Sequence, residues 1–178
     1  MDTFSHALWG KALFGRKGTN LFALLFGASP DIIAFVPWMI LRLINGTFFD
    51  REFGKPPPIE IIPDWVFFMY DFSHSFITGF LLVFLLYYFR KDYLWFAALA
   101  WPFHTVLDFP FHTKEFFPTK IFWPFSDFYI DGIPWSRPEV WFTNIILLAL
   151  VLLYKRRKNI HKKSGKHNMR NAMNTKQK

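Results

Sequence analysis

The sequence predicts an all-α, membrane-embedded bundle of about four transmembrane helices, preceded by an N-terminal amphipathic helix. Three observations predict it. Hydrophobic residues make up 52% of the 178 and aromatics 22%, an apolar load that excludes a disordered chain and argues against an ordinary soluble domain. Four apolar runs approach the roughly 20 residues needed to cross a bilayer core, the shorter two helped by Trp, Tyr, Lys and Arg at their ends. The positive charges between the runs fall on one side if the chain crosses four times, which the positive-inside rule makes cytoplasmic.

Residues 2–14 predict the amphipathic helix, capped by Thr3, with His6 and Gly10 on one face. Lys11, Arg16, Lys17 and Gly18 make a basic turn. The first apolar run, 21–44, is interrupted by Ser29-Pro30-Asp31. Proline disfavours helix at the residue before it, and Ser-Pro-Asp suits the N-cap and first two positions of a new helix. This run therefore predicts a helix broken at Ser29-Pro30. Its apolar start and small Ala28-Ser29 are leader-like, but Pro30 at the would-be cleavage point argues against removal.

A charged loop rich in proline covers 45–63. The second run, 64–89, is interrupted by Asp71, Ser73 and His74, with Ser73 able to cap a helix starting at His74. Arg90-Lys91-Asp92 is a polar turn. The third run, 93–108, is ended by Pro110. Residues 109–137 hold ten aromatics and four prolines and predict an irregular interfacial segment. The fourth run, 140–154, is followed at once by Lys155-Arg156-Arg157-Lys158. Residues 1–154 thus read as one membrane-embedded domain and 155–178 as a basic, disordered tail. The net charge of +8 belongs to that tail, which holds ten Lys/Arg and no acid. With both termini cytoplasmic, loops 45–63 and 109–137 face outside. The absence of cysteine excludes a disulfide framework, a thiolate zinc site and a cysteine nucleophile.

Six ionisable residues lie in or beside the apolar segments: His6, Asp31, Asp71, His74, His104 and Asp108. A central Asp in a membrane helix costs about 2.5–3.5 kcal/mol on insertion scales, so such residues turn inward and find partners. No Lys or Arg is expected at their depth. A cation from solution would satisfy them, and imidazoles with carboxylates are the donors that a borderline-to-hard divalent metal prefers. One such ion with Asp31 and Asp108 ionised and the histidines neutral sums to zero charge, which suits a low-dielectric interior. In His104-Thr105-Val106-Leu107-Asp108 the i, i+4 spacing sets both side chains on one helix face. Competing readings stay open: His104 as a core histidine bonded to Asp108, Asp31 and Asp71 as acids at helix N-termini, and Asp71 as a partner holding the other nitrogen of His74. His112 is a further ligand candidate, although Pro110 separates it from Asp108. His161 and His167 lie in the tail and are expected to be solvated.

Taken in order, Thr3-Phe4-Ser5-His6-Ala7-Leu8-Trp9-Gly10, Ser29-Pro30-Asp31, Asp71-Phe72-Ser73-His74-Ser75, His104-Thr105-Val106-Leu107-Asp108 and Trp123-Pro124-Phe125 resemble the motif series of the prokaryotic membrane-bound metal-dependent hydrolases. That group includes a LexA-regulated inner-membrane protein and is distantly similar to zinc-dependent phospholipase C. The resemblance spans about residues 3–127. It implies His6, Asp31, His74, His104 and Asp108 as ligands of a divalent metal, zinc by analogy, and a multi-pass protein of the prokaryotic inner membrane. The chain departs from the family pattern at Ile33, where a second acid is usual, and at Ser73, where threonine is usual.

On that basis the expected activity is hydrolysis of a phosphoester, such as a lipid head group, by a metal-activated water, with Asp31 or Asp71 accepting its proton. Lys114, Lys120 or Arg137 could meet the phosphate. The alternative is a non-enzymatic membrane protein whose His/Asp site is structural or conducts ions, although a transporter's inverted repeat is not found. The partners expected are the lipid bilayer and, for the tail, anionic lipid. The tail has no aromatics for base stacking, so specific nucleic acid binding is not expected.

Overall fold

The computed structural model describes residues 1–50, 56–90 and 92–175, with side chains as far as Lys158. It is all-helical, with no strand among the described residues. The helices are α1 (Thr3–Phe14), α2 (Asn20–Ile44), α3 (Asp64–Ser73), α4 (Phe76–Arg90), α5 (Leu94–Ala98), α6 (Ala100–Asp108) and α7 (Pro138–Thr175). Two helices, α2 and the Pro138–Lys158 part of α7, are long and apolar enough to cross a membrane. The α3–α4 pair, bent by 52°, makes a third if it is counted as one span.

Four helical spans are therefore not found. The third apolar run splits at Leu99 into helices of 5 and 9 residues. At a rise of about 1.5 Å per residue neither approaches the roughly 30 Å of a hydrocarbon core. Pro102 is the local reason: without an N–H it cannot bond back to Ala98, and it is tolerated only within the first turn of a new helix.

The break predicted at Ser29-Pro30 is also absent. α2 runs through Pro30 and Pro37, and Ser29 is not a cap: its hydroxyl donates to Leu25 O at 2.7 Å. A break in apolar surroundings would strand backbone groups, so the continuous helix wins. The second run does break, as predicted, with the new helix starting two residues later than expected. His74 closes α3, and α4 starts at Phe76 with Ser75 Oγ accepting from Ile77 N at 3.1 Å. Ser73 faces away from that helix and donates to Pro30 O.

α1 is capped by Asp2, whose carboxylate accepts from Ser5 N, rather than by Thr3. Its buried face is polar and small (Ser5, His6, Ala7, Gly10, Ala12), while Phe4 is exposed, so it is the reverse of an ordinary amphipathic helix. It crosses α2 at backbone contact: a Cβ on Gly10 would strike Ala23 O, and one on Gly27 would strike His6 O. A buried polar chain ties α1 to α7. Trp9 Nε1 donates to Asn144 Oδ1 at 2.8 Å, and Asn144 Nδ2 donates to Ser5 Oγ at 2.9 Å.

The apolar core is Ala34, Trp38, Ile62, Val66, Tyr70 and Phe117. Phe117, Thr119 and Ile121 are buried, so part of the 109–137 segment is packed into the bundle rather than lying at its surface. Large apolar side chains on α2, α4 and α7, among them Ile40, Leu43, Phe80, Phe84, Ile146 and Leu150, face outward, as helices in contact with lipid do. The helical backbone of α7 continues into the stretch predicted as a disordered tail. The tail side chains beyond Lys158, including His161 and His167, lie outside the described residues, as do Lys91 and residues 51–55.

Candidate metal centre

Asp31 comes from the middle of α2, His74 from the junction of α3 and α4, and His104 and Asp108 from one face of α6. All four are buried, and one ligand atom from each lies within 4.8 Å of the others. This buried Asp/His/His/Asp cluster could hold a metal ion.

The orientation of the two imidazoles carries the assignment. His104 Nδ1 lies 2.7 Å from Gly27 O, and His74 Nδ1 lies 3.1 Å from Tyr70 O. A backbone carbonyl only accepts, so this placement favours the Nδ1–H tautomer of both rings, with Ser73 Oγ also 3.0 Å from His74 Nδ1; in that tautomer both Nε2 atoms are acceptors. Those atoms face each other at 3.0 Å. Two opposed lone pairs in a dry interior call for a positive charge between them. The carboxylates complete the set. His74 Nε2 lies 3.4 Å from Asp31 Oδ1 and 3.5 Å from Asp108 Oδ2, and His104 Nε2 lies 3.6 and 3.1 Å from the same two oxygens. A tetrahedral zinc site with ligands at about 2.0–2.1 Å has edges of roughly 3.3 Å, so these five separations bracket the expected value. Asp31 Oδ2 is buried without a hydrogen-bond partner, a lone pair that a cation would also satisfy. The residues fit the ion.

His6 is beside this group but not in it. Its Nε2 lies 2.8 Å from Asp108 Oδ1, and its ring stacks on His104 with centroids 3.5 Å apart. Burial holds its imidazole down to about 4, so the ring is neutral near pH 7. The N-terminal amine of Met1 also contacts Asp108 Oδ1. His112 Nε2 stands 3.6 Å from Asp108 Oδ2.

Asp71 is not brought to the cluster. Its Oδ2 accepts from Lys120 Nζ at 3.0 Å, and the nitrogen of His74 that it was expected to hold is taken by Tyr70 O and Ser73. Asp71 does have a basic partner, since Lys120 arrives from the folded-back segment and pairs with Asp71 and, at 3.2 Å, with Asp127. The exposed Lys114 lies 3.7 Å from Asp131. Asp31 is not a helix-terminal acid, since α2 does not begin there. The backbone acceptors Gly27 O and Tyr70 O have no side-chain signature and were invisible in the sequence.

Comparison with protein-family models, with characterised proteins and with solved structures finds no match.

Proposed function

We propose that this chain is an integral-membrane, metal-dependent hydrolase of the membrane-bound type it resembles, acting on a phosphoester such as a lipid head group. The observation that carries the reading is the pair of backbone-anchored imidazoles whose Nε2 atoms converge with two carboxylates inside an apolar bundle. Apolar helices and a buried polar centre in one chain point to a substrate that is itself amphiphilic.

Asp31, His74, His104 and Asp108 would hold a divalent cation, which we take to be zinc, and it would supply a Lewis acid able to acidify water and polarise a phosphoryl oxygen. The chain's own groups do the rest. Gly27 O and Tyr70 O hold the His104 and His74 rings in one tautomer. Asp31 Oδ2, buried and unpartnered, is available to accept a proton from water. Tyr70, in contact with Phe117 and His74, and the surrounding rings exclude bulk solvent. Asp71 is the weaker choice as proton acceptor because Lys120 neutralises it.

The inner membrane of a prokaryote, with both termini cytoplasmic, is the location that goes with this reading. Arg16 of the α1–α2 turn sits over the rings of Phe96 and Tyr93, which supports placing the two basic turns on one face. The fourth crossing would then be made by α5, α6 and the buried part of 109–137 together; irregular backbone is tolerated at that depth when protein surrounds it.

The test is to purify the full chain, load it with zinc, and follow release of soluble phosphoester from phosphatidylethanolamine or phosphatidylglycerol vesicles. Activity abolished by chelator and by His104→Ala is expected; activity that survives both contradicts the proposal. One observation favours the structural-site alternative: four protein donors already fill a tetrahedron. A loaded site with no exchangeable water on the metal would select it.

A further inference from the structure

The family resemblance makes His6 a metal ligand, but its geometry gives it a different task. The lone pairs of an imidazole lie in the ring plane. His6 and His104 are stacked with planes inclined by only 18° and centroids 3.5 Å apart. A cation held by the His104 Nε2 lone pair would be met edge-on by that ring, whereas the stacked His6 ring turns its face, not its lone pairs, toward the same space. Neither nitrogen of His6 can direct a lone pair at it. The ring is instead committed to the carboxylate next door, with Nε2 at 2.8 Å from Asp108 Oδ1. Since Asp108 offers only acceptors when ionised, the proton of this bond sits on His6 Nε2.

The two oxygens of Asp108 are thus divided. Oδ1 faces α1 and the residues just before it, and takes its donors from there, His6 Nε2 and the Met1 amine. Oδ2 faces the imidazoles of His74 and His104. The rotation of the carboxylate about its terminal bond decides which oxygen reaches the cation, and α1 sets that rotation. α1 is itself held by its backbone crossing with Gly27 and by the Ser5–Asn144 bond to α7.

From this division we infer that His6 is a positioning residue and not a ligand: it fixes Asp108 so that Oδ2 alone is offered to the cation bound by Asp31, His74 and His104. The inference rests on the metal reading above. It makes the coordination sphere one of two imidazoles and two carboxylates, with His6 acting through Asp108. Outer partners of this kind typically alter metal affinity by about 10–100-fold without changing the ligand set.

The experiment uses the full chain in detergent or nanodiscs, stripped of metal and reloaded with Co²⁺ or Zn²⁺. Wild type, His6→Ala and His6→Gln are compared by titration, by the visible bands of the cobalt form and by X-ray absorption of the zinc form. The inference predicts two imidazoles per ion in all three, cobalt bands unchanged at saturation, and affinity reduced by about 10–100-fold in His6→Ala. His6→Gln, whose amide can still donate to Asp108, should recover most of that loss, a rescue that a gap-filling role would not show. Should His6→Ala fail to fold, the absorption spectrum of wild type together with His6→Gln still decides the matter. Three imidazoles in wild type falling to two in either variant overturn this inference alone. A wild-type chain that takes up neither metal overturns the metal reading, and this inference with it.

Discussion

α2 carries two prolines and runs unbroken for 25 residues, whereas the α3–α4 segment has none and bends by 52° between Ser73 and Phe76. Each brings an aspartate or histidine to the same centre from the middle of an apolar stretch. The difference lies in what replaces the lost backbone bonds. At the α3–α4 junction a second segment lies alongside: Phe76 N donates to Ile121 O at 2.9 Å, and Ser75 Oγ donates to Trp123 O at 2.6 Å. Around Pro30 only side chains reach the helix from other segments, Ser73 at Pro30 O and His104 at Gly27 O; among the described residues no second backbone does, and the chain keeps its helix, with Ser29 bonding back along it. In apolar surroundings a helix opens where another backbone can satisfy it, and proline alone does not open it.

The comparison can be broken most forcefully by removing what both helices converge upon. With a cation bound at about a hundred times its dissociation constant, chelation should cost about 2.7 kcal/mol of stability. For a chain of this length that lowers the melting temperature by about 5–10 °C, read by thermal unfolding with and without chelator. An unchanged midpoint would mean that the two helices meet without an ion.

The next largest effect is expected on the unbroken side. Gly27→Ala puts a methyl group against His6 O and must displace α1. Overpacking of this kind costs about 1–3 kcal/mol. Metal affinity should fall with it, because His6 moves away from Asp108. Retained affinity at reduced stability would separate the crossing from the site.

On the broken side, Ser75→Ala removes both the bond to Trp123 O and the acceptor for Ile77 N. A loss of about 1–2 kcal/mol is expected. His74 stays anchored by Tyr70 O, so metal titration should change little.

The smallest effect belongs to Pro30→Ala. It restores an N–H to a helix that is already continuous, while loosening the unfolded chain, and the two effects offset, so stability should change by less than about 1 kcal/mol. Cation binding should be retained, since the substitution leaves the backbone carbonyl at this position free to accept from Ser73. A larger loss of binding in Pro30→Ala than in Ser75→Ala would reverse the comparison.

Much of the site could be read from residue types. His104 and Asp108 announce themselves by their spacing, and Asp31 and His74 by being ionisable where hydrocarbon is expected. The helical class followed from the apolar runs. What the sequence did not reveal has one physical origin: it depends on backbone groups brought from afar. Pro30 looked like a break because local propensity says nothing of whether a second segment is present to receive the freed groups. Asp71 looked like a partner of His74, three residues away, because Lys120 is 49 residues distant and lies in a stretch that reads as interfacial. That His6 stacks on His104 and bonds Asp108 could not be read either, because stacking and ring tilt have no signature in a string of letters.

Metal analysis of the purified full chain after reconstitution with zinc, wild type beside His74→Ala, tests the central claim most directly. The account predicts a single divalent ion per chain in wild type and its loss in the variant. A wild-type protein that retains no ion, or a variant that retains it undiminished, would contradict it.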